Sequence, residues 1–137
     1  MKKQQLRKEL KSLRNKLSRD QVASWSSKIC KHILSSPQYH QADVIFGYLA
    51  FGNEPNIDSV LEQALLADKT VCVPRIISET EICAVRFDGF EHLLLDRYGI
   101  RSVSGTDSVI DPQQIALALV PGVGFAKNGN RIGMGAG

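Results

Sequence analysis

Four short apolar runs, separated by segments with helical or turn chemistry, constrain the fold of this chain more than any other feature. They are residues 43–50 (DVIFGYLA), 70–75 (TVCVPR), 82–87 (ICAVRF) and 115–120 (IALALV). The central runs are apolar at successive positions, as in strands buried on both faces, and such strands belong to largely parallel sheets covered by helices. The expected fold is therefore a three-layer α/β/α arrangement around a mostly parallel, open, Rossmann-like sheet, in one domain over residues 1–137. The run 82–87 reads as nearer an edge, and the Ala/Leu content of 115–120 leaves a helix as its alternative. Ligands of such sheets bind beyond the carboxyl ends of the strands.

The intervening segments carry the helical signals. Leu6, Leu10, Leu13 and Leu17 recur at helical spacing, which predicts an amphipathic helix over about residues 2–18. Ser18 or Asp20 is placed to cap a second helix running to about Leu34, with Val22, Trp25, Ile29 and Ile33 on its apolar stripe and Pro37 ending it. The run 43–50 breaks at Gly52-Asn53-Glu54-Pro55, and Asn56 is placed to cap a helix to about Leu66. Residues 88–114 are less regular: 90–95 suggests a short helix and 99–112 mostly loop.

Composition closes off several function classes. An apolar fraction of 43% and a charged fraction of 23% are those of a soluble globular protein. No run approaches the length of a membrane span, and the basic N-terminus lacks the apolar stretch of a signal peptide, so a cytoplasmic protein without a membrane partner is expected. Cys30, Cys72 and Cys83 form no C-x-x-C pair, and His32, His40 and His92 lack ligand spacing to them, which argues against a disulfide framework and a zinc site. No Ser-His-Asp or Cys-His set suggests a covalent hydrolase. The net charge of +3 is uneven, since residues 1–20 hold eight Lys/Arg against Glu9 and Asp20 while the remaining segment is −3. A nucleic-acid module using the basic N-terminal helix stays open as an alternative, although the acidic balance of residues 21–137 counts against it.

Three features carry candidate chemistry. Residues 121–137 (PGVGFAKNGNRIGMGAG) are glycine-rich, include Lys127 and Arg131, and follow an apolar run. A strand opening into such a loop can present backbone N–H groups to a phosphate, although a glycine cluster is more often a plain loop. The segment has neither the Gly-Lys-Ser/Thr of a Walker loop nor the position of a dinucleotide fingerprint. Lys3 and Arg7 share one helix face and could grip a polyphosphate jointly, the ordinary alternative being a solvated basic face. Glu54 stands in a turn after an apolar run, where it could accept a ligand's N–H groups or simply favour the following helix N-terminus. Arg75 is a weaker candidate of the same kind.

Together these segments resemble the 5-formyltetrahydrofolate cyclo-ligase (methenyltetrahydrofolate synthetase) family. Lys3-x-x-Leu6-Arg7 is similar to its first nucleotide-contacting segment. The stretch Tyr48-Leu49-Ala50-Phe51-Gly52-Asn53-Glu54 is similar to its folate-contacting region, and residues 121–125 with 129–137 are similar to its long C-terminal signature. Two departures stand out: Ala126 replaces the usual Asp after Pro-Gly-x-x-Phe, and Arg101-Ser102 replaces the usual Glu-Pro after Tyr-Gly-Ile. The family's glycine loop continues into Tyr-Tyr-Asp, whose aspartate binds magnesium. The resemblance therefore implies a C-terminally truncated chain, weak or inactive by itself, without that metal ligand.

The implied function is ATP-dependent closure of 5-formyltetrahydrofolate to 5,10-methenyltetrahydrofolate by a monomer that takes ATP, Mg2+ and folate and no nucleic acid. The resemblance assigns Lys3, Gln4, Gln5, Leu6, Arg7, Arg131, Ile132, Gly133, Met134, Gly135, Ala136 and Gly137 to the nucleotide, with Arg131 the catalytic cation. It assigns Leu49, Glu54 and Met134, Gly135, Ala136, Gly137 to the folate. The implied route transfers the γ-phosphoryl group to the formyl oxygen, then closes the ring by attack of N10, with catalysis mainly by positioning and charge stabilisation. Another nucleotide or sugar-phosphate binder on the same kind of sheet is the remaining enzyme alternative.

Overall fold

The computed structural model describes residues 2–91, 93–103 and 108–133, so that His92 and Met134, Gly135, Ala136 and Gly137 lie outside it. Helix α1 (Lys3–Asn15) is followed by α2 (Arg19–Leu34), whose start carries a full capping box: Ser18 Oγ accepts from the Gln21 N–H and the Gln21 side chain accepts from the Ser18 N–H. Pro37 does not merely follow α2. It occupies the first turn of α3 (Pro37–Gln41), where its missing N–H costs nothing, and Ser36 caps that turn.

Strands β1 (Val44–Phe46), β2 (Thr70–Ile76), β3 (Ile82–Arg86), β6 (Val109–Ile110) and β7 (Leu117–Ala118) form a five-stranded sheet in the order β6-β3-β2-β1-β7. β1 runs parallel to β2 and to β7, whereas β3 is antiparallel to both β2 and β6. Four strands thus share one direction and β3 alone opposes them, which is the mostly parallel sheet expected. The run 115–120 is strand and not helix, because Ala116 and Leu119 donate their N–H groups to Val44 and Phe46 on β1.

Side chains alternate across the sheet. One face presents Ile45, Val71, Val73 and Val85, with Phe87 just past β3, to Val60, Leu61 and Ala64 of α4 (Asp58–Leu66), and these are essentially sealed from solvent. Gly47 permits this contact, since a Cβ there would stand 2.6 Å from Cδ2 of the fully buried Leu61. On the opposite face Cys72 and Ala84 are buried, while Pro74, Ile76 and Ile82 toward the hairpin tip are exposed.

Several local expectations shift. Asn56 does not cap α4; the cap position falls on Ile57, and Asn56 Oδ1 instead accepts from the Asp58 N–H one step earlier. Residues 93–95 are not helical. They form β4 (Leu93–Leu95), paired with β5 (Arg101–Val103), because Asp96 Oδ1 accepts from the N–H groups of Tyr98 and Ile100 and folds the segment into a hairpin turn. The apolar stripe of α2 is rotated as well. Ser26 and Cys30 face inward and Trp25 is 62% exposed, since Ser26 Oγ accepts from Asn56 N–H and Cys30 Sγ donates to its carbonyl. No described helix is long and apolar enough to cross a membrane.

Candidate functional site

The chain leaves β1 toward β2 on one side and returns as β7 on the other, so the crevice between β1 and β7 is the topological switch point of the sheet. In open α/β sheets that is where ligands bind. Two loops rise from it: residues 47–55 after β1, which carry Leu49 and Glu54, and residues 119–133 after β7, which carry Arg131. Strand adjacency thereby places both sequence-predicted regions at one end of the sheet.

The loop after β1 is held from within. The Tyr48 hydroxyl donates to the Pro55 carbonyl at 2.7 Å, and Glu54 Oε1 accepts from the Phe51 N–H at 2.8 Å, closing a turn with Gly52 at positive φ. Glu54 is half-buried, and only Oε1 is engaged among the described residues. Burial first, then the neighbouring Glu54 and Cys30, pushes the Tyr48 phenol well above its ordinary range, against a smaller opposing pull from Arg14. Tyr48 is accordingly a neutral, permanent donor at physiological pH. Leu49 is half-buried against the main core.

The glycine-rich segment is a β-hairpin. β8 (Gly124–Phe125) pairs with β9 (Arg131–Ile132), and the turn is closed by Ala126 with Asn130 and by Gly129 at φ +93°. The N–H groups of Val123, Ala126, Gly129 and Asn130 are bonded inside this hairpin and are not presented outward. The glycines through 129 therefore serve turn geometry and close packing more than anion binding. Lys127 is exposed near the turn. Arg131 folds back over the hairpin base, where its Nη1 donates to the Pro121 carbonyl at 2.8 Å and packs against Gly133.

Helix α1 joins the two loops. Arg7 Nε donates to the Gly133 carbonyl at 2.9 Å, and Leu10 lies so close to Gly124 that a Cβ there would meet its Cδ1 at 2.5 Å. At the other end, Asn53 Nδ2 donates to Asn15 Oδ1 at 2.5 Å. Arg7 and Asn15 are eight residues apart, which on a helix is about 12 Å. An open groove of about 580 Å³ follows α1 past Arg7, Lys8, Lys11 and Asn15. The face turned toward the body is not the leucine stripe read from periodicity. Leu6 and Leu10 are half-buried together with Arg7, Lys11 and Arg14, while Leu13 is 59% exposed. The helix is rolled so that its cationic flank reaches the loops.

Of the sequence-predicted residues, Leu49 and Glu54 lie in the loop after β1, Arg131, Ile132 and Gly133 in the hairpin after β7, Leu6 and Arg7 on the half-buried side of α1, and Lys3, Gln4 and Gln5 in its exposed first turn. The Arg75 guanidinium donates to the Val103 carbonyl of β5 at 3.2 Å. Sequence reasoning missed the bond between Asn15 and Asn53, 38 residues apart, and the hydroxyl role of Tyr48 seven residues from Pro55; none of these residues sits in a pattern that announces its contact. Among the described residues no group of three His, Cys, Asp or Glu side chains could hold a metal ion, so these residues by themselves do not make a magnesium site.

Comparison with known proteins points to one family. The sequence profile of the 5-formyltetrahydrofolate cyclo-ligase family matches residues 1–137. A probable 5-formyltetrahydrofolate cyclo-ligase of Schizosaccharomyces pombe is 30% identical over 142 aligned residues, covering 100% of this chain and 69% of that protein. The 5-formyltetrahydrofolate cyclo-ligase of Haemophilus influenzae is 25% identical, with 99% and 74% covered. Among solved structures, a 5,10-methenyltetrahydrofolate synthetase of Aquifex aeolicus superimposes with a TM-score of 0.82 at 26% identity, over 100% of this chain and 69% of that one. One from Mycoplasma pneumoniae gives 0.76 at 25% identity, over 99% and 73%. With its whole length matched by the profile and its sheet shared with these structures, the chain belongs to the 5-formyltetrahydrofolate cyclo-ligase family.

Proposed function

We propose that the β1/β7 crevice binds ATP and 5-formyltetrahydrofolate side by side and closes the folate ring, yielding 5,10-methenyltetrahydrofolate, ADP and phosphate. One observation carries this reading beyond family membership: α1, a cationic helix, is tied at Arg7 to the hairpin after β7 and at Asn15 to the loop after β1. A two-substrate reaction needs such a common wall, because holding the reactants together removes most of the entropic cost of their encounter.

In this reading Lys3, Arg7 and Arg131 gather the triphosphate, with Gln4, Gln5, Leu6, Ile132 and Gly133 around it. Arg7 is suited to the role because Nε is spent on Gly133 while its terminal nitrogens can still donate. Leu49 supplies an apolar contact to the pterin, and the second oxygen of Glu54 accepts from its N–H groups. The formyl oxygen attacks the γ-phosphorus and ADP leaves, giving an N5-iminium phosphate. N10 then adds to the iminium carbon and loses its proton, and expulsion of phosphate leaves the conjugated methenyl product. The protein's contribution is alignment and stabilisation of charge on the transferring phosphoryl group.

The same reading gives a cytoplasmic monomer working on small molecules and not on nucleic acid, supported by the −3 balance of residues 21–137. The test is growth of the near-ultraviolet absorbance of the methenyl product. Growth that requires both 5-formyltetrahydrofolate and ATP is expected, weak in this chain by itself, with a raised KM for ATP in Arg131→Ala. Absorbance indifferent to ATP would overturn the reading.

A further inference from the structure

Arg101 ties together parts of the structure that lie far apart in sequence. It lies at the start of β5, opposite Leu95 of β4. Its Nη1 donates to Asp58 Oδ2 at 2.8 Å and its Nη2 to Asp58 Oδ1 at 3.1 Å, a fork-to-fork pair between residues 43 positions apart. The same Nη2 also donates to the Ala50 carbonyl at 3.3 Å. Both side chains are largely covered, at 21% and 31% exposure, so the pair is not a solvated surface contact.

Three elements meet at this one guanidinium. Asp58 opens α4, Ala50 lies in the loop between Leu49 and Glu54, and β5 is itself held to β2 by the bond from Arg75 to the Val103 carbonyl. The β4–β5 hairpin is therefore a brace outside the loop after β1, and Arg101 is the point at which the brace grips it. Ala50 neighbours Leu49 directly, and near its tip this loop is tied internally by the Tyr48 hydroxyl, the Glu54 carboxylate and the bond from the Glu54 N–H to the Phe51 carbonyl. We propose that Arg101, through Asp58 and the Ala50 carbonyl, is a positioning residue that sets Leu49 and Glu54 for the folate and has no part in holding ATP. This rests on the function proposed above.

Lysine separates this role from a purely structural one. A single ammonium at 101 keeps the charge and can pair with Asp58, but it cannot reproduce the planar fork and hold the Ala50 carbonyl as well. Three chains are compared: the unsubstituted protein, Arg101→Lys and Arg101→Ala, each by calorimetric titration with 5-formyltetrahydrofolate and with ATP and by thermal unfolding. Arg101→Lys is expected to keep its midpoint near that of the unsubstituted chain. Its folate affinity should fall about tenfold, the effect of one lost charge-assisted hydrogen bond, and its ATP affinity should stay within about twofold. Arg101→Ala should lose at least as much for folate and some thermal stability too. Folate affinity unchanged in Arg101→Lys, or folate and ATP weakened equally, overturns the positioning role. An unsubstituted chain that binds neither ligand overturns the functional reading, and the positioning role with it.

Discussion

Arg7 and Gly133 are separated by 126 positions in the chain, yet the arginine Nε lies 2.9 Å from the glycine carbonyl oxygen. That single bond brings the first helix to the end of the last described hairpin and joins the two segments proposed to face the nucleotide. Lysine cannot substitute for this arginine, because one ammonium must choose between the carbonyl and a phosphate. Arg7→Lys is expected to raise the Kd for ATP about tenfold, the worth of one charge-assisted hydrogen bond. Equilibrium titration checks this, with ATP affinity equal to that of the unsubstituted chain as the contrary result.

Tyr48 is 9% exposed, and its hydroxyl serves the Pro55 carbonyl. Tyr48→Phe leaves that half-buried acceptor without its donor, at a cost of about 1–2 kcal/mol in urea unfolding. Because the lost bond spans the loop bearing Glu54, the affinity for 5-formyltetrahydrofolate should fall in the same variant. A fall in stability with folate binding untouched would separate the loop's integrity from its role in binding.

Burial of Cys72 pushes its thiol up to about 11, above the ordinary 9 of an exposed cysteine. The folded chain therefore holds this proton more tightly than the unfolded one. The associated stability is present in full below pH 9 and is lost as pH rises through 11. Stability measured between pH 9 and 11 should decline, and Cys72→Ala should flatten that decline. At pH 8 a thiol reagent should modify the half-exposed Cys83 well before Cys72. Equal labelling of both would contradict the burial argument.

Much of the scaffold was legible in the sequence because its signals are local. The runs 44–46, 70–76 and 82–86 are strands for the reason given by their apolar content, and Ser18 with Gln21 announces α2 in four residues. What failed was decided at long range. Periodicity finds Leu13 on the same stripe as Leu10, but cannot tell that α1 is tied to the two loops through Arg7 and Asn15 and leaves Leu13 in solvent. Trp25 looks like a core residue until Asn56, 30 positions from Ser26, claims the neighbouring face of α2. The turn around Asp96 depends on one carboxylate oxygen serving two N–H groups, a pattern easily read as the start of a helix. The candidate site divides the same way. Its two loops could be named from motifs, whereas their adjacency follows from the pairing of β1 with β7, and their connection through Asn15 and Asn53 has no sequence signature at all.

The division of labour across the crevice is tested most directly by crossing two substitutions with two ligands. ATP and 5-formyltetrahydrofolate are titrated separately into the unsubstituted chain, Arg7→Ala and Glu54→Ala. If α1 and the hairpin hold the nucleotide while the loop after β1 holds the pterin, Arg7→Ala weakens ATP by about tenfold or more and leaves folate within about twofold, and Glu54→Ala does the reverse. Two variants that weaken both ligands alike, or that leave both affinities unchanged, would contradict the two-sided crevice.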